Sequence, residues 1–272
     1  MEGGGIMERN ILELKKNPHW SYSAFQCYLQ CPMKYYLRYI EHAEPEHTCS
    51  ALPFGRAFHA VLSERARKGT AFSIDDAKDD FFVYFKGETE VCQNLTYKQG
   101  EDFESCLVKG QDMLEVALEN WQDDYVDVSV AEAFSVEVPG LSKPLIGEFD
   151  LIVRNDAEET VCDWKTSSSK WQTGKADWDL QATTFCYAYQ QLYGKIPLFR
   201  FDVFTKAKQP TASSYYTVRT EDDLQKFIFL AKQIEKSIQS GLFYPNENCM
   251  NCSECPYKKQ CKNVCQKGVC NE

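Results

Sequence analysis

The sequence predicts a mixed α/β fold, in which helices flank a central sheet and a helical part precedes it. Residues 128–138 carry apolar side chains at nearly every second position, which is the period of a strand. Two more apolar segments and then a helical pattern follow, and strands that alternate with a helix indicate an α/β domain. The predicted strands cover residues 128–138, 145–153, 159–165, 198–206 and 213–218.

The helices are predicted from segments with few helix breakers and from helix start signals. Ser23 and Gln26 form a capping box for the first helix, and Pro32 stands where a second helix would begin. The later predicted helices cover residues 54–68, 74–86, 101–121, 177–193 and 221–240.

These elements divide the chain into three parts. Residues 1–20 are polar and are expected to form a mobile leader, and residues 21–248 form one domain with a helical insertion at about 63–127. Residues 249–272 form a cysteine-rich tail that is too short to bury a hydrophobic core of its own.

The charge balance excludes some classes of protein. There are 30 basic and 40 acidic residues, which gives a formal net charge of -10. Such a chain does not coat nucleic acid electrostatically, although an enzyme with a local basic groove remains possible. No apolar run long enough to span a membrane and no signal core occurs, so we expect a cytoplasmic protein. In that reducing compartment, thirteen cysteines suggest metal binding rather than disulfides.

One group of charged residues indicates a site. Asp163 and Lys165 are two positions apart in a predicted strand and therefore share a face, and Asp150 lies in the preceding strand. Carboxylates buried side by side need a cation, and carboxylate oxygens suit Mg²⁺ or Mn²⁺. Lys165 would then stabilise charge that develops on a phosphoryl group. The alternative is an ordinary ion pair between half-exposed strand residues.

These residues resemble the PD-(D/E)XK nuclease superfamily, and specifically its RecB-type branch. Phe149-Asp150 and Asp163-Trp164-Lys165 correspond to the two halves of its motif. The segment GRAFH, residues 55–59, is similar to a helix that carries a metal-binding histidine. Gln181 resembles the first residue of a Gln-x-x-x-Tyr helix, although Phe185 stands in the place of the tyrosine.

The resemblance implies a restriction-endonuclease-like mixed sheet and a Mg²⁺- or Mn²⁺-dependent deoxyribonuclease. The catalytic residues that it implies are Asp150, Asp163, Lys165 and Gln181. The metal ligands that it implies are His59, Asp150, Asp163 and the backbone carbonyl of Trp164. Glu132, on the apolar face of the first predicted strand, is a further candidate ligand. His59 could instead be a packed core histidine.

The tail contains the most specific spacing in the chain, Cys252-x2-Cys255-x5-Cys261. Closely spaced cysteines suit zinc or an iron–sulfur cluster, and either needs a fourth ligand. Cys249 would extend the motif towards a ferredoxin pattern, but Lys259 stands where that pattern requires a cysteine. A local zinc site could draw its ligands from Cys249, Cys252, Cys255, Cys261, Cys265 and Cys270.

A second resemblance supplies a fourth ligand. Iron–sulfur members of the RecB-type branch, which include the AddB nuclease domain and the CRISPR-associated spacer-acquisition exonuclease, place a Cys-Pro step before an aromatic and basic helix. Here that step is Cys31-Pro32. The resemblance implies a 4Fe–4S cluster held by Cys31, Cys252, Cys255 and Cys261. Cys27 is an alternative to Cys31.

The expected function is an exonuclease that acts on single-stranded DNA ends. Aromatic and basic residues are mixed around Lys34, Arg38 and Arg56, a combination that suits single strands, although these side chains could equally form a solvated surface. Expected partners are therefore DNA and proteins of recombination, repair or CRISPR adaptation. The alternatives are a non-catalytic DNA-binding or assembly subunit and a zinc-binding interaction protein.

Overall fold

A five-stranded mixed sheet forms the centre of the protein and confirms the predicted α/β fold. The computed structural model describes residues 10–123, 126–155, 158–249 and 252–266. In chain order, helices α1 to α10 are Ile11–Leu14, Tyr22–Gln30, Pro32–Tyr35, Ala51–Lys68, Ile74–Glu90, Phe103–Glu119, Lys175–Trp178, Leu180–Tyr193, Glu221–Gln239 and Lys258–Gln266. Strands β1 to β7 are Thr48–Cys49, Leu95–Thr96, Asp127–Val136, Leu145–Arg154, Glu159–Ser167, Leu198–Thr205 and Ala212–Thr217.

The sheet has the order β3-β4-β5-β6-β7, and helices cover both of its faces. Strands β5 and β6 are parallel and are connected through α7 and α8, whereas the other neighbouring pairs are antiparallel. Residues of α2, α8 and α9 pack on one face, and residues of α4, α5 and α6 pack on the other. Within the described part of the chain, no helix is long and apolar enough to cross a membrane.

Strands β4 and β5 separate part of the way along their length. They pair from Leu151 to Arg154 on β4 and from Glu159 to Cys162 on β5. Beyond that point β4 pairs with β3, whereas β5 continues beside β6. We call this separation the strand fork, and its first unpaired positions are Asp150 and Asp163.

The regular alternation predicted for residues 128–138 is wrong in one respect. Val128 and Val130 pack against the cluster beneath α4 to α6, but Phe134 and Val136 belong to the cluster on the opposite face. Ala131 lies between them with φ of 53°, in the left-handed region. This backbone kink reverses the face to which even-numbered side chains point, and a propensity-based prediction does not detect it.

The first helix begins earlier than predicted. Ser21, rather than Ser23, is its N-cap, because the Ser21 side chain accepts a hydrogen bond from the backbone N–H of Ala24. Trp20 is buried, and its indole donates a 2.9 Å hydrogen bond to Glu235 Oε1. The predicted leader therefore extends too far, since Trp20 belongs to the core; residues 1–9 lie outside the described residues.

The predicted helix over 177–193 is interrupted at Asp179. Asp179 has an extended backbone and caps α8, its side chain accepting a 2.9 Å hydrogen bond from the backbone N–H of Gln181. Helix α7 is a single turn that precedes this cap, and α8 ends at Gly194 in the left-handed conformation. Because of this interruption, Gln181 lies in the first turn of α8 and not in the middle of a longer helix.

Helix α6 packs so closely against α5 that Gly110 has no room for a side chain, and this contact gives a stability prediction. A Cβ atom on Gly110 of α6 would lie 2.0 Å from Cε1 of Phe81, a fully buried ring of α5. We expect Gly110→Ala to destabilise the protein by about 1–3 kcal/mol through overpacking, measured as a lower Tm. Gly87→Ala is the matched control, because nothing lies within 4 Å of its Cβ position and alanine favours a helix. A higher Tm for both variants would contradict this packing.

Candidate functional site

The strand fork brings Asp163, Lys165 and Gln181 into one buried group. Asp163 is 2% exposed and accepts a hydrogen bond from the Gln181 side chain of α8 through Oδ1. Its other oxygen, Oδ2, forms an ion pair with the Lys165 ammonium but accepts no hydrogen bond of good geometry within the described residues. A carboxylate so buried requires such a partner, so the sequence-predicted pair is not merely a surface ion pair.

Asp150 joins this group from β4, the other strand of the fork. Its Oδ2 accepts a 2.9 Å hydrogen bond from the backbone N–H of Trp164 and lies 3.4 Å from Nδ1 of His59. The His59 ring also meets the Trp164 ring edge-on at 5.9 Å. His59 extends from α4 and is only part-buried, so it faces the site rather than the core.

Burial and neighbouring opposite charges shift the pKa values of the site residues in opposite directions. Burial raises the pKa of Asp163 to about 6, the Lys165 ammonium opposes that rise, and the nearby Asp150 adds to it. Burial also favours the neutral form of Asp150, but His59 and Lys165 outweigh it and lower the pKa of that carboxyl group. Asp150 in turn raises the pKa of His59 despite burial of the imidazole. The carboxylates thus attract cationic groups strongly.

Sequence analysis did not identify three residues that lie near this group, namely Glu148, Tyr22 and Asp179. Glu148 is two positions before Asp150, and burial, followed by repulsion from Asp150, raises its pKa. Tyr22 of α2 has a raised pKa because of burial and the charges of Asp179 and Asp163. The spacing of Glu148 and Asp150 is the same strand signal that identified Asp163 and Lys165, whereas no local pattern indicates Tyr22 or Asp179.

The remaining sequence-predicted residues lie in other surroundings. Glu132 accepts a hydrogen bond from the Tyr193 hydroxyl of α8, which is its described partner. Arg56 pairs with Glu88 at 3.2 Å, and the guanidinium of Arg38 lies 5.2 Å from the centre of the Tyr39 ring. Lys34 lines the cysteine cavity described below. Phe185 is buried in the core, as its apolar character requires.

The donor set at the fork suits a hard divalent cation, because it offers two carboxylates, one imidazole and the Trp164 carbonyl. Asp163 Oδ2 is paired with the Lys165 ammonium but accepts no hydrogen bond of good geometry in the described part of the chain, so it retains lone pairs for an additional cation. The present arrangement is nevertheless more open than a closed ion site. Among the described residues, no group of three His, Cys, Asp or Glu side chains is placed to hold one metal ion.

A cavity of about 80 Å³ brings the cysteines of the two chain ends together. Its lining includes Cys31, Cys249, Cys252, Cys255 and Cys261. The sulfur of Cys31 accepts hydrogen bonds from the backbone N–H groups of Lys34 and Asn246, both at 3.4 Å. The side chain of Cys265 and all of Cys270 lie outside the described residues. Cys27 is buried outside the lining of this cavity, and burial raises the pKa of its thiol to about 11.

The tail is attached to the domain by more than its cysteines. Tyr257 is buried against Met33 and Leu37. The backbone N–H of Glu46 donates to the Pro256 carbonyl at 2.7 Å, and the Glu46 side chain accepts from the backbone N–H of Lys259 at 2.6 Å. The described part of the tail therefore shares a small apolar cluster with α3.

Comparisons with known proteins agree with this geometry. The sequence model of the PD-(D/E)XK nuclease superfamily matches residues 19–262. A solved structure from Eubacterium rectale, described as a candidate exonuclease, has a TM-score of 0.58 at 14% identity, with 93% of each chain covered. The protein SSO0001 covers 89% of this chain and 95% of its own, at 15% identity and a TM-score of 0.37, too low to support an argument. No curated protein matches. The family match spans both arms of the fork and both parts of the cysteine cavity, and the chain therefore belongs to the PD-(D/E)XK nuclease superfamily.

Proposed function

We propose that this protein is a Mg²⁺- or Mn²⁺-dependent deoxyribonuclease that degrades single-stranded DNA from its ends. The observation that carries the proposal is the convergence of Asp150, Asp163 and Lys165 at the strand fork, with Gln181 on Asp163. The buried Asp163, the part-buried Asp150 and a lysine provide both cation ligands and a positive charge for a phosphate.

Each residue has a separate task in phosphodiester hydrolysis. A divalent cation held by Asp150, Asp163, His59 and the Trp164 carbonyl would polarise the scissile phosphate and activate the attacking water. Lys165 stabilises the negative charge that grows on the phosphoryl oxygens as water attacks phosphorus and the ester bond breaks. Gln181 fixes the orientation of Asp163, and the Trp164 N–H fixes that of Asp150. Glu132 remains a candidate further ligand.

Digestion of end-labelled DNA tests this proposal. We expect single-stranded substrate to be shortened with Mn²⁺ or Mg²⁺, and EDTA to stop the reaction. Circular single-stranded DNA is the control for end dependence, because an exonuclease leaves it intact. Cleavage of the circle would support an endonuclease, and no cleavage of any substrate with either metal would refute the nuclease assignment.

The alternative of a non-catalytic DNA-binding or assembly subunit keeps the fold but needs no intact site. The presence of Asp150, Asp163 and Lys165 as a contacting group argues against it. A role beside recombination, repair or CRISPR-adaptation proteins is compatible with either activity, and co-purification with tagged protein tests it.

His59 gives a prediction that separates a ligand from a structural histidine. We expect His59→Ala to weaken Mn²⁺ binding at least about 10-fold, measured by calorimetry, since the imidazole contacts Asp150. The Tm of the metal-free variant should change little, because His59 is part-buried at the edge of the site. A lower Tm with unchanged Mn²⁺ affinity would instead identify a structural residue.

We infer that the cysteine cavity holds a 4Fe–4S cluster with Cys31, Cys252, Cys255 and Cys261 as ligands. The shared cavity and the two N–H donors to the Cys31 sulfur support this inference, since such hydrogen bonds stabilise thiolates. Anaerobic purification tests it: a brown protein with bound iron and sulfide supports the cluster, and a colourless zinc protein refutes it.

A further inference from the structure

A large cleft beside the strand fork has no assigned role. Its volume is about 970 Å³, and it lies between α2 and the segment from Ser167 to Asp179. Ser167 lies two positions beyond Lys165 on β5, and Tyr22 lines the same cleft close to the charges of Asp163 and Asp179. The cleft therefore lies next to the candidate active site.

Trp178 forms part of the cleft and is 87% exposed. A single exposed apolar residue is ordinary on a protein surface, but here the surrounding backbone is held unusually firmly. Arg219 is buried, and its Nη2 donates to the carbonyls of Ala176 at 2.9 Å and Asp179 at 3.2 Å. These carbonyls lie on either side of Trp178 in the chain.

A second anchor restrains the same turn. Asp177 accepts a 2.8 Å hydrogen bond from the Thr217 hydroxyl of β7, and Thr217 also accepts one from Arg219 at 2.6 Å. The backbone that carries Trp178 is thus fixed to the sheet from both sides. Because this backbone is already ordered, a flat ligand that stacks on the indole costs only the rotamer freedom of the side chain.

Two lysines of the cleft offer contacts to a polyanion, beside the carboxylate of Asp179. Lys170 and Lys175 line the cleft, and the described residues place no carboxylate within salt-bridge distance of either ammonium; the nearby acids Asp177 and Asp179 are engaged in hydrogen bonds of their own. Lys175 lies 3.8 Å from the centre of the Trp171 ring, which places a cation beside an aromatic face. Lysines interleaved with aromatic rings are what single-stranded DNA requires, since phosphates need charge and unpaired bases need stacking surfaces.

We propose that Trp178 stacks on an unpaired base of the DNA strand whose scissile phosphate lies at the strand fork, while Lys170 and Lys175 contact the adjoining phosphates. The proposal rests on the proposed nuclease function and adds a reason for single-strand preference. A base inside a duplex has both of its faces covered by its neighbours, so away from the duplex ends only an unpaired base can stack on Trp178.

Binding measured without cleavage tests the stacking directly. In EDTA, we expect Trp178→Ala to weaken binding of a fluorescein-labelled single-stranded oligonucleotide about 5- to 150-fold in fluorescence anisotropy. Trp178→Phe should recover most of the affinity, because a phenyl ring still stacks. Phe229→Ala is the matched control: this residue of α9 is 65% exposed and lies outside the cleft, so its removal should leave affinity unchanged.

Oligonucleotides with a single abasic site identify the stacked base. At one position, removal of the base should weaken binding to the wild type but not to Trp178→Ala. Equal losses for both proteins at every position, or unchanged affinity of Trp178→Ala, would overturn the stacking. Cleavage with Mn²⁺ is scored separately. If the wild type does not cleave but loses affinity at one abasic position where Trp178→Ala does not, the nuclease proposal fails and the DNA-stacking site stands.

Discussion

Replacement of Lys165 by alanine should reduce DNA cleavage by about 10²- to 10³-fold in kcat, because it removes the positive charge that faces the phosphoryl oxygens. The same change should preserve or tighten Mn²⁺ binding. Lys165 forms an ion pair with Asp163, and its ammonium therefore competes with a divalent cation for that carboxylate. Steady-state kinetics at saturating Mn²⁺, together with calorimetry, measure the two effects.

Two further variants make this prediction specific. Asp163→Ala should lose both cleavage and Mn²⁺ affinity, because it removes the carboxylate itself. Lys195→Ala is the control, since Lys195 pairs with Glu159 at 2.9 Å at the far end of β5 and should keep full activity. Cleavage by Lys165→Ala at the wild-type rate would refute the assigned site. Lys165→Ala also leaves Asp163 buried without its partner, so the metal-free variant should be less stable by several kcal/mol.

Replacement of Cys31 by serine should remove the visible absorption of the anaerobically purified protein as completely as Cys261→Ser does. Cys31 lies between α2 and α3, roughly 220 residues before the cysteines of the tail, so no local tail site would include it. Loss of a cluster that joins such distant segments should lower the Tm of the whole domain. Iron content, the visible spectrum and Tm are the measurements.

Cys249→Ser is the informative control for this variant. Cys249 lines the same cavity but is not among the proposed ligands, so its replacement should leave colour and Tm nearly unchanged. In protein freed of iron, Cys31→Ser and wild type should have similar Tm values, because serine replaces the thiol almost isosterically. A harmless Cys31→Ser combined with a colourless Cys249→Ser would establish a self-contained tail site instead.

The fold class and the residues at the fork were accessible from sequence for a physical reason. Strand alternation placed Asp163 and Lys165 on one face, and the apolar context of Asp150 predicted a buried carboxylate. Both depend on local spacing alone. The long-range approach of Cys31 to the tail came only through resemblance, because spacing within the tail cannot identify a partner at the other end of the chain.

Other features depend on contacts that sequence patterns do not encode. The left-handed Ala131 gives no signal in composition, since alanine is common in regular structure. The interruption at Asp179 follows from its role as a cap and from Arg219, whose guanidinium reaches the turn from forty positions away in the chain. Tyr22 reaches the site because α2 packs beside α8, a tertiary arrangement that no single segment predicts.

The hairpin that joins β4 to β5 sets the spacing of Asp150 and Asp163, the two candidate catalytic carboxylates. Asp150 and Asp163 lie equally far from its turn, which is closed by a 3.1 Å hydrogen bond from the Asn155 N–H to the Glu158 carbonyl. Loss of one residue from this turn would slide β5 by one position against β4. Asp163 and Lys165 would then point away from Gln181, towards α4. We therefore expect the number of residues between Asn155 and Glu158 to be as strict a requirement for the proposed activity as the identity of the carboxylates, and changes of residue type there to be tolerated far better than changes of length.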